Sequence, residues 1–208
     1  MIWPASDPLV TAVGGTYLCT EPTVGSLTAD SADPPSTCGA YSGQREVGWI
    51  AGGGGFSHVF GVPTFQTNLP KGSTTFTSTD GRGVPDVSYQ ASARTGVLIY
   101  DTDESGGGGW FIIGGTSSGS PQWAGLIAIA DQINGGSLGY INPALYKIGS
   151  DPARYAKDFF DVTVGNNGLD APAVPGFNAS TGWDPVTGLG TPNAANLLPD
   201  LVNAVNGN

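Results

Sequence analysis

The sequence predicts an α/β fold, a sheet covered by helices on both faces. Three observations carry this. The short runs Leu9–Val13, Val97–Tyr100 and Trp110–Ile113 are apolar, β-branched and aromatic, as buried strands are. The segment Pro121–Ile133 is helical in character and nearly all apolar, which places it centrally rather than on the surface. Glycine, 34 of 208 residues, punctuates the chain between such runs.

In chain order, Leu9–Val13 reads as a short strand ending at Gly14 and Gly15. Residues 19 to 45 form a polar loop without helix or strand pattern. Gly52–Gly55 followed by Phe56-Ser-His-Val-Phe60 reads as a loop with aromatic anchors, and 67 to 83 as an exposed Ser/Thr/Gly-rich stretch. Val97–Tyr100 and Trp110–Ile113, joined by Asp101–Gly109, suggest a hairpin with a glycine-rich tip. Asn142–Ile148 and Asn193–Val205 read as further helices. There is no internal repeat, and residues 1–208 are expected to form one domain.

The net charge of −10 argues against nucleic acid or an anionic membrane as partner, since both need a basic face. No stretch has the length and unbroken apolarity of a transmembrane helix. Only 12% of residues are charged and there is one histidine, so acidification adds little positive charge. That suits an acid-acting protein, and equally a generic acidic secreted one. Cys19 and Cys38 flank the polar loop. A disulfide between them would contribute about 3 kcal/mol on the chain-entropy model and favours an oxidising compartment; two free thiols are the alternative. The two cysteines and His58 do not complete a zinc site. Met1-Ile-Trp-Pro4 has neither basic nor apolar signal-peptide character, so an export signal is expected upstream, unless the chain is an excised fragment.

The run Gly114-Gly-Thr-Ser117-Ser-Gly-Ser-Pro121 carries the chemistry. Strand, glycine turn, serine and apolar helix together present a nucleophilic hydroxyl. The helix start offers free N–H groups and positive potential to a developing oxyanion. The rival role for Ser117 is helix capping. Gly115–Gly119 also fits the G-x-S-x-G elbow, but that fold places its histidine after the serine, and His58 precedes it. As an upstream base of subtilase type, His58 sits in a glycine-rich aromatic loop, where a structural role fits better. A second constellation is Phe159-Phe-Asp161-Val162 followed by Ser180-Thr-Gly182-Trp-Asp184-Pro-Val-Thr-Gly188. Calcium takes six to eight oxygens from carboxylates and carbonyls, which Asp161, Asp184 and this irregular loop could supply; turn capping by both aspartates is the alternative.

Pro4–Thr16, Gly53–Ser57, Pro63–Gln66, Arg82–Ser88, Gly114–Pro121, Phe160–Val162 and Gly182–Gly188 together resemble the sedolisin family. These are serine-carboxyl peptidases of subtilisin-like fold. The resemblance implies a parallel sheet covered by helices with a calcium-binding loop region, and Ser117 as nucleophile. It further implies calcium on the Asp161 and Asp184 side chains and the carbonyls of Val162, Ser180 and Gly182. The family usually has glycine where this chain has Ser180.

In that family a glutamate acts as base, one aspartate orients it and another serves the oxyanion hole. All three would precede Pro4, and Glu46, Asp80, Asp86 and Asp101 sit in no matching motif. The chain is therefore expected to be the C-terminal half of such a domain. It would be secreted, act on protein or peptide substrates, and be inactive without the upstream Glu/Asp segment. The missing N-terminal half is then a partner. The competing expectation is a non-catalytic, calcium-stabilised fragment or pseudopeptidase.

Overall fold

A computed structural model describes residues 2–19, 46–77, 79–102, 107–168 and 175–207. Cys38, the expected partner of Cys19, and most of the 19–45 loop lie outside the described residues. The elements are β1 (Val13–Leu18), β2 (Glu46–Gly48), β3 (Gly55–Phe56), β4 (Gly83–Val84), β5 (Val87–Gln90), β6 (Val97–Asp101) and β7 (Gly109–Ile113). Then follow α1 (Thr116–Asn134), α2 (Asn142–Gly149), α3 (Pro152–Asp158), β8 (Phe159–Phe160), β9 (Thr191–Pro192) and α4 (Ala194–Val205). The protein is α/β, with small sheets and four helices among the described residues.

β1 is the middle strand of the largest sheet. β5 runs parallel to it with Val13 opposite Val87, and β2 pairs antiparallel with its far end, Leu18 opposite Glu46. The strand thus starts where Leu9–Val13 was expected to end. Gly14 and Gly15 lie inside it because neighbours approach too closely for a side chain. A Cβ on Gly14 would stand 2.5 Å from Pro85 Cγ, and one on Gly15 2.7 Å from Ala91 Cβ.

The expected helices form. α2 and α4 match within a residue, while α1 begins at Thr116, five residues before the expected start at Pro121. Pro121 therefore sits inside α1 and leaves the Ser117 carbonyl without its usual donor four residues on. α3 was not anticipated; Asp151 caps it, accepting from Ala153 N and Arg154 N, and Pro152 opens it. α1 packs on β1, β5 and α4, and Trp123, Leu145, Leu197 and Leu201 meet in the core behind it.

α1 is not buried all round as its composition suggested. Ile129 and Ile133 are 49% and 53% exposed. The hairpin forms as expected, with Tyr100 opposite Trp110. It too is open on both faces: Leu98 and Trp110 are 59% and 67% exposed on one, Phe111 47% on the other. Among the described residues, then, the open apolar surface lies on α1 and the hairpin, while β1 and β2 are buried on both faces.

Arg82 and Asp86 form a fully buried ion pair, two N–H groups of Arg82 reaching Asp86 at 2.9 and 2.6 Å. Asp86 also accepts from Ala12 N at 2.8 Å and from the Tyr146 hydroxyl at 2.9 Å. Burial works against the guanidinium charge, but the Asp86 hydrogen bond and charge hold the Arg82 pKa above its ordinary value. Removing one partner leaves the other charge buried and alone. Asp86→Ala is expected to cost about 3–5 kcal/mol in urea unfolding. A change under about 1 kcal/mol would show that the pair carries little of the fold.

Candidate active site

β7 delivers the chain to Gly114, and α1 takes it away from Thr116. Between them Gly115 adopts φ 80° and ψ 164°, a conformation open only to glycine. Gly114 lies against the chain after β5, where a Cβ would stand 2.7 Å from Ala93 N. Gly115 N donates to Ala91 O at 2.5 Å. One turn on, the Ser118 hydroxyl donates to Gly115 O at 3.1 Å and Gln90 O at 3.4 Å, and Trp123 Nε1 reaches Ser88 O at 3.1 Å. The first two turns of α1 are thus pinned along β5.

Ser117 is the second residue of α1 and is exposed. It does not cap the helix: Gly115 holds the cap position, and the buried neighbour Ser118 makes the local hydrogen bonds. Ser117 Oγ has no hydrogen-bond partner among the described residues. Thr116 beside it lines a mostly apolar cleft of about 160 Å³ with Ala12, Gly14, Gly54 and Pro85.

None of the acidic groups weighed from the sequence reaches the serine. Glu46 is buried and accepts from the Thr16 and Thr191 hydroxyls. Asp80 closes a local turn with Thr77 N at 2.6 Å, and Asp86 is held by Arg82. Asp101 ends β6 and is exposed. His58, exposed in the bend after β3, is not hydrogen-bonded to the serine either.

The five residues of the expected calcium set come together. Gly182 N donates to Asp161 Oδ2 at 2.9 Å, and Ser180 N to Asp184 Oδ2 at 2.7 Å. Asp184 Oδ1 takes Val186 N and Thr187 N at 2.8 and 2.9 Å, while the Thr187 hydroxyl reaches Val162 O at 3.4 Å. Gly182 has φ 77°, and a Cβ there would lie 2.6 Å from Ser73 Oγ, so the turn needs glycine. Asp161 Oδ1 is buried with no hydrogen-bond donor. Burial raises the pKa of Asp161, and pushes Asp184 up to about 6. No group of three or more acidic, histidine or cysteine side chains gathers there or elsewhere among the described residues. Any cation would be held by two carboxylates and backbone carbonyls, as hard cations accept. Sequence reasoning missed Tyr155, whose buried hydroxyl faces Asp161 without a formed hydrogen bond. Burial first, and the Asp161 charge second, raise its pKa. Its only signal was an aromatic residue at i−6 from Asp161 in a segment not recognised as a helix.

A turn open only to glycine thus sets an exposed serine at the start of a strand-pinned helix. The chain is 34% identical to kumamolisin of Bacillus sp. (strain MN-32) over 208 residues, 96% of this chain and 32% of that protein. It is 36% identical to sedolisin of Pseudomonas sp. (strain 101), and 33% identical to tripeptidyl-peptidase 1 of Dictyostelium discoideum; each match covers 94% of this chain and 29% of the relative. No family model matches. The relatives are sedolisin, kumamolisin and tripeptidyl-peptidases, and the match fits a C-terminal part of the sedolisin domain. The chain spans about a third of the length of these relatives.

Gly115→Ala tests the presenting turn. A Cβ meets no clash within 3.4 Å, so the cost is backbone strain alone, about 1–3 kcal/mol. Thermal melting and amide exchange of residues 114–118 read it. An unchanged melt would mean that the turn accommodates an ordinary residue.

Proposed function

We propose that the chain is the nucleophile-bearing part of an acid-acting, secreted serine-carboxyl peptidase that cleaves protein or peptide substrates. Ser117, open on the first turn of a pinned helix, is the observation that carries this reading. Its Oγ attacks the scissile carbonyl and forms an acyl-enzyme, while the α1 N-terminus favours the negative oxygen. The attack requires a base to take the hydroxyl proton. The acidic groups weighed above are engaged or distant, so the base is supplied by a Glu/Asp segment outside these residues. A carboxylate base works near its own pKa, hence in acid.

In this reading the fold is the C-terminal portion of a subtilisin-like domain. The parallel β1–β5 pair belongs to its sheet, and the remainder of the domain covers the open faces of α1 and the hairpin. Calcium is held by Asp161, Asp184 and the carbonyls of Val162, Ser180 and Gly182. It neutralises carboxylates whose burial otherwise favours their protonated form, and the orphaned Asp161 Oδ1 is the atom best placed to meet it. A Cys19–Cys38 disulfide fits the same secreted setting. The second reading, a non-catalytic calcium-stabilised fragment or pseudopeptidase, draws on the absence of a hydrogen-bond partner at Ser117 Oγ among the described residues.

The chain alone is expected to show little peptidase activity. Adding an upstream sedolisin-type segment with its Glu and Asp, fused or as a separate chain, is expected to give cleavage at acid pH. That activity should vanish in Ser117→Ala and survive His58→Ala. Robust cleavage by the chain alone, lost in Ser117→Ala, would place a base within it. A folded, complemented complex without activity would favour the non-catalytic reading.

Calcium is tested separately. It is expected to raise the melting temperature, a chelator to lower it, and Asp161→Asn to remove most of the difference. Melting that ignores both calcium and chelator would reduce the constellation to turn capping.

A further inference from the structure

Asp158 is the last residue of α3, and its side chain is fully buried. Neither carboxylate oxygen has a hydrogen-bond donor. The nearest cation, Lys157 Nζ, stands 3.8 Å away and is committed to Asp200 Oδ2 at 2.8 Å. Asp200, on α4, therefore shares Lys157 with Asp158, which brings the two carboxylates to the same ammonium. The other charged group felt at Asp158 is Arg154, one turn back on α3. α2, which packs on α3, brings Lys147 and Tyr146, the latter committed to Asp86, and β8 brings no ionisable group. The carbonyl end of α3 adds further negative potential.

We propose that Asp158 and Asp200 form a proton-operated latch between α3 and α4, closed when Asp158 is protonated and strained open when it is ionised. Protonated, Asp158 gains an O–H that donates to the Asp200 carboxylate, which keeps its ion pair with Lys157. No bond breaks beyond transfer of that proton to or from solvent. Ionised, Asp158 is a buried carboxylate without a donor, facing a second carboxylate. The latch sits where α4 already grips α3. Asn193 N donates to Asp158 O at 2.8 Å, and Asn193 Nδ2 and Asn196 Nδ2 donate to Lys157 O at 3.2 and 3.1 Å. Opening it loosens the junction three residues before Asp161.

Burial first, and the Asp200 charge second, push Asp158 up to about 6 from an ordinary value of 3.8. Because the folded value lies above the unfolded one, the stabilisation is complete below about pH 4 and is lost as pH rises through 6. The difference of about two units corresponds to a change on the order of a hundredfold in the folding equilibrium constant.

The test is unfolding of the full chain from pH 3 to 8, both in chelator and in saturating calcium, so that Asp161 and Asp184 are separated from Asp158. The wild-type chain is expected to lose stability between pH 4 and 7 in both conditions. Asp158→Asn should flatten that loss in saturating calcium and leave, in chelator, the share carried by Asp161 and Asp184. Asp200→Asn, which frees Lys157 to turn to Asp158, should move its midpoint toward lower pH. An unchanged pH profile in Asp158→Asn would overturn the latch. Should that variant fail to fold, an unmoved midpoint in Asp200→Asn would overturn it equally.

Discussion

The structure depends most on a single buried carboxylate, Asp86. Its side chain neutralises Arg82 and binds Ala12 N and the Tyr146 hydroxyl. Its backbone N–H bonds Ala12 O, and its carbonyl takes Leu189 N. One residue therefore ties the start of β1, the strand β5, helix α2 and the loop after Asp184. A buried ion pair is weak evidence for net stability, since desolvation offsets much of the attraction. What it supplies is register. These bonds form only if four segments meet in one arrangement, and slipping β5 by one residue would leave a buried charge unpaired.

β5 then holds both candidate centres at fixed distance. On one side its residues and the next few receive the nucleophile turn: Ala91 O takes Gly115 N, and Ser88 O takes Trp123 Nε1. On the other, Ser88 N donates to Gly190 O at 2.9 Å, just beyond Asp184–Gly188. Trp183, fully buried, fixes that loop from behind. Its Nε1 donates to Pro85 O at 2.9 Å, and its ring stacks on Phe76 with centroids 5.2 Å apart. The same packing buries Asp184 and raises its pKa. The geometry of the acidic loop is thus set by apolar contact, and the charge is left for a cation or proton to resolve.

Much of this was legible in the sequence, for identifiable reasons. The hairpin announced itself by two apolar β-rich runs around glycines, and α2 and α4 by local pattern, because those signals are local. The Gly114–Pro121 run fixed where Ser117 would stand. The sheet register was not legible. Gly14 and Gly15 read as a strand end, whereas they are strand interior because Pro85 and Ala91, more than seventy residues away, occupy the space. α3 was missed although Asp151-Pro152 is a helix start, since seven residues give too short a period to notice. Asp158 was invisible as a special group: only the packing of α4 turns a helix-end aspartate into a buried one.

The disagreement over α1 is informative in itself. Composition described a central, nearly all-apolar helix, and the hairpin reads as two apolar, β-rich runs around a glycine-rich tip. Among the described residues each has an open apolar face. An isolated two-stranded ribbon is marginal in water, and contiguous exposed apolar surface marks an interface. Sequence composition records the environment in which a chain functions, whereas packing records only the contacts that this stretch can make by itself. On the reading proposed above, the difference between the two is the surface on which the rest of the peptidase domain sits. The base for Ser117 would arrive with that covering layer, so a single docking event would remove the apolar exposure and complete the chemistry.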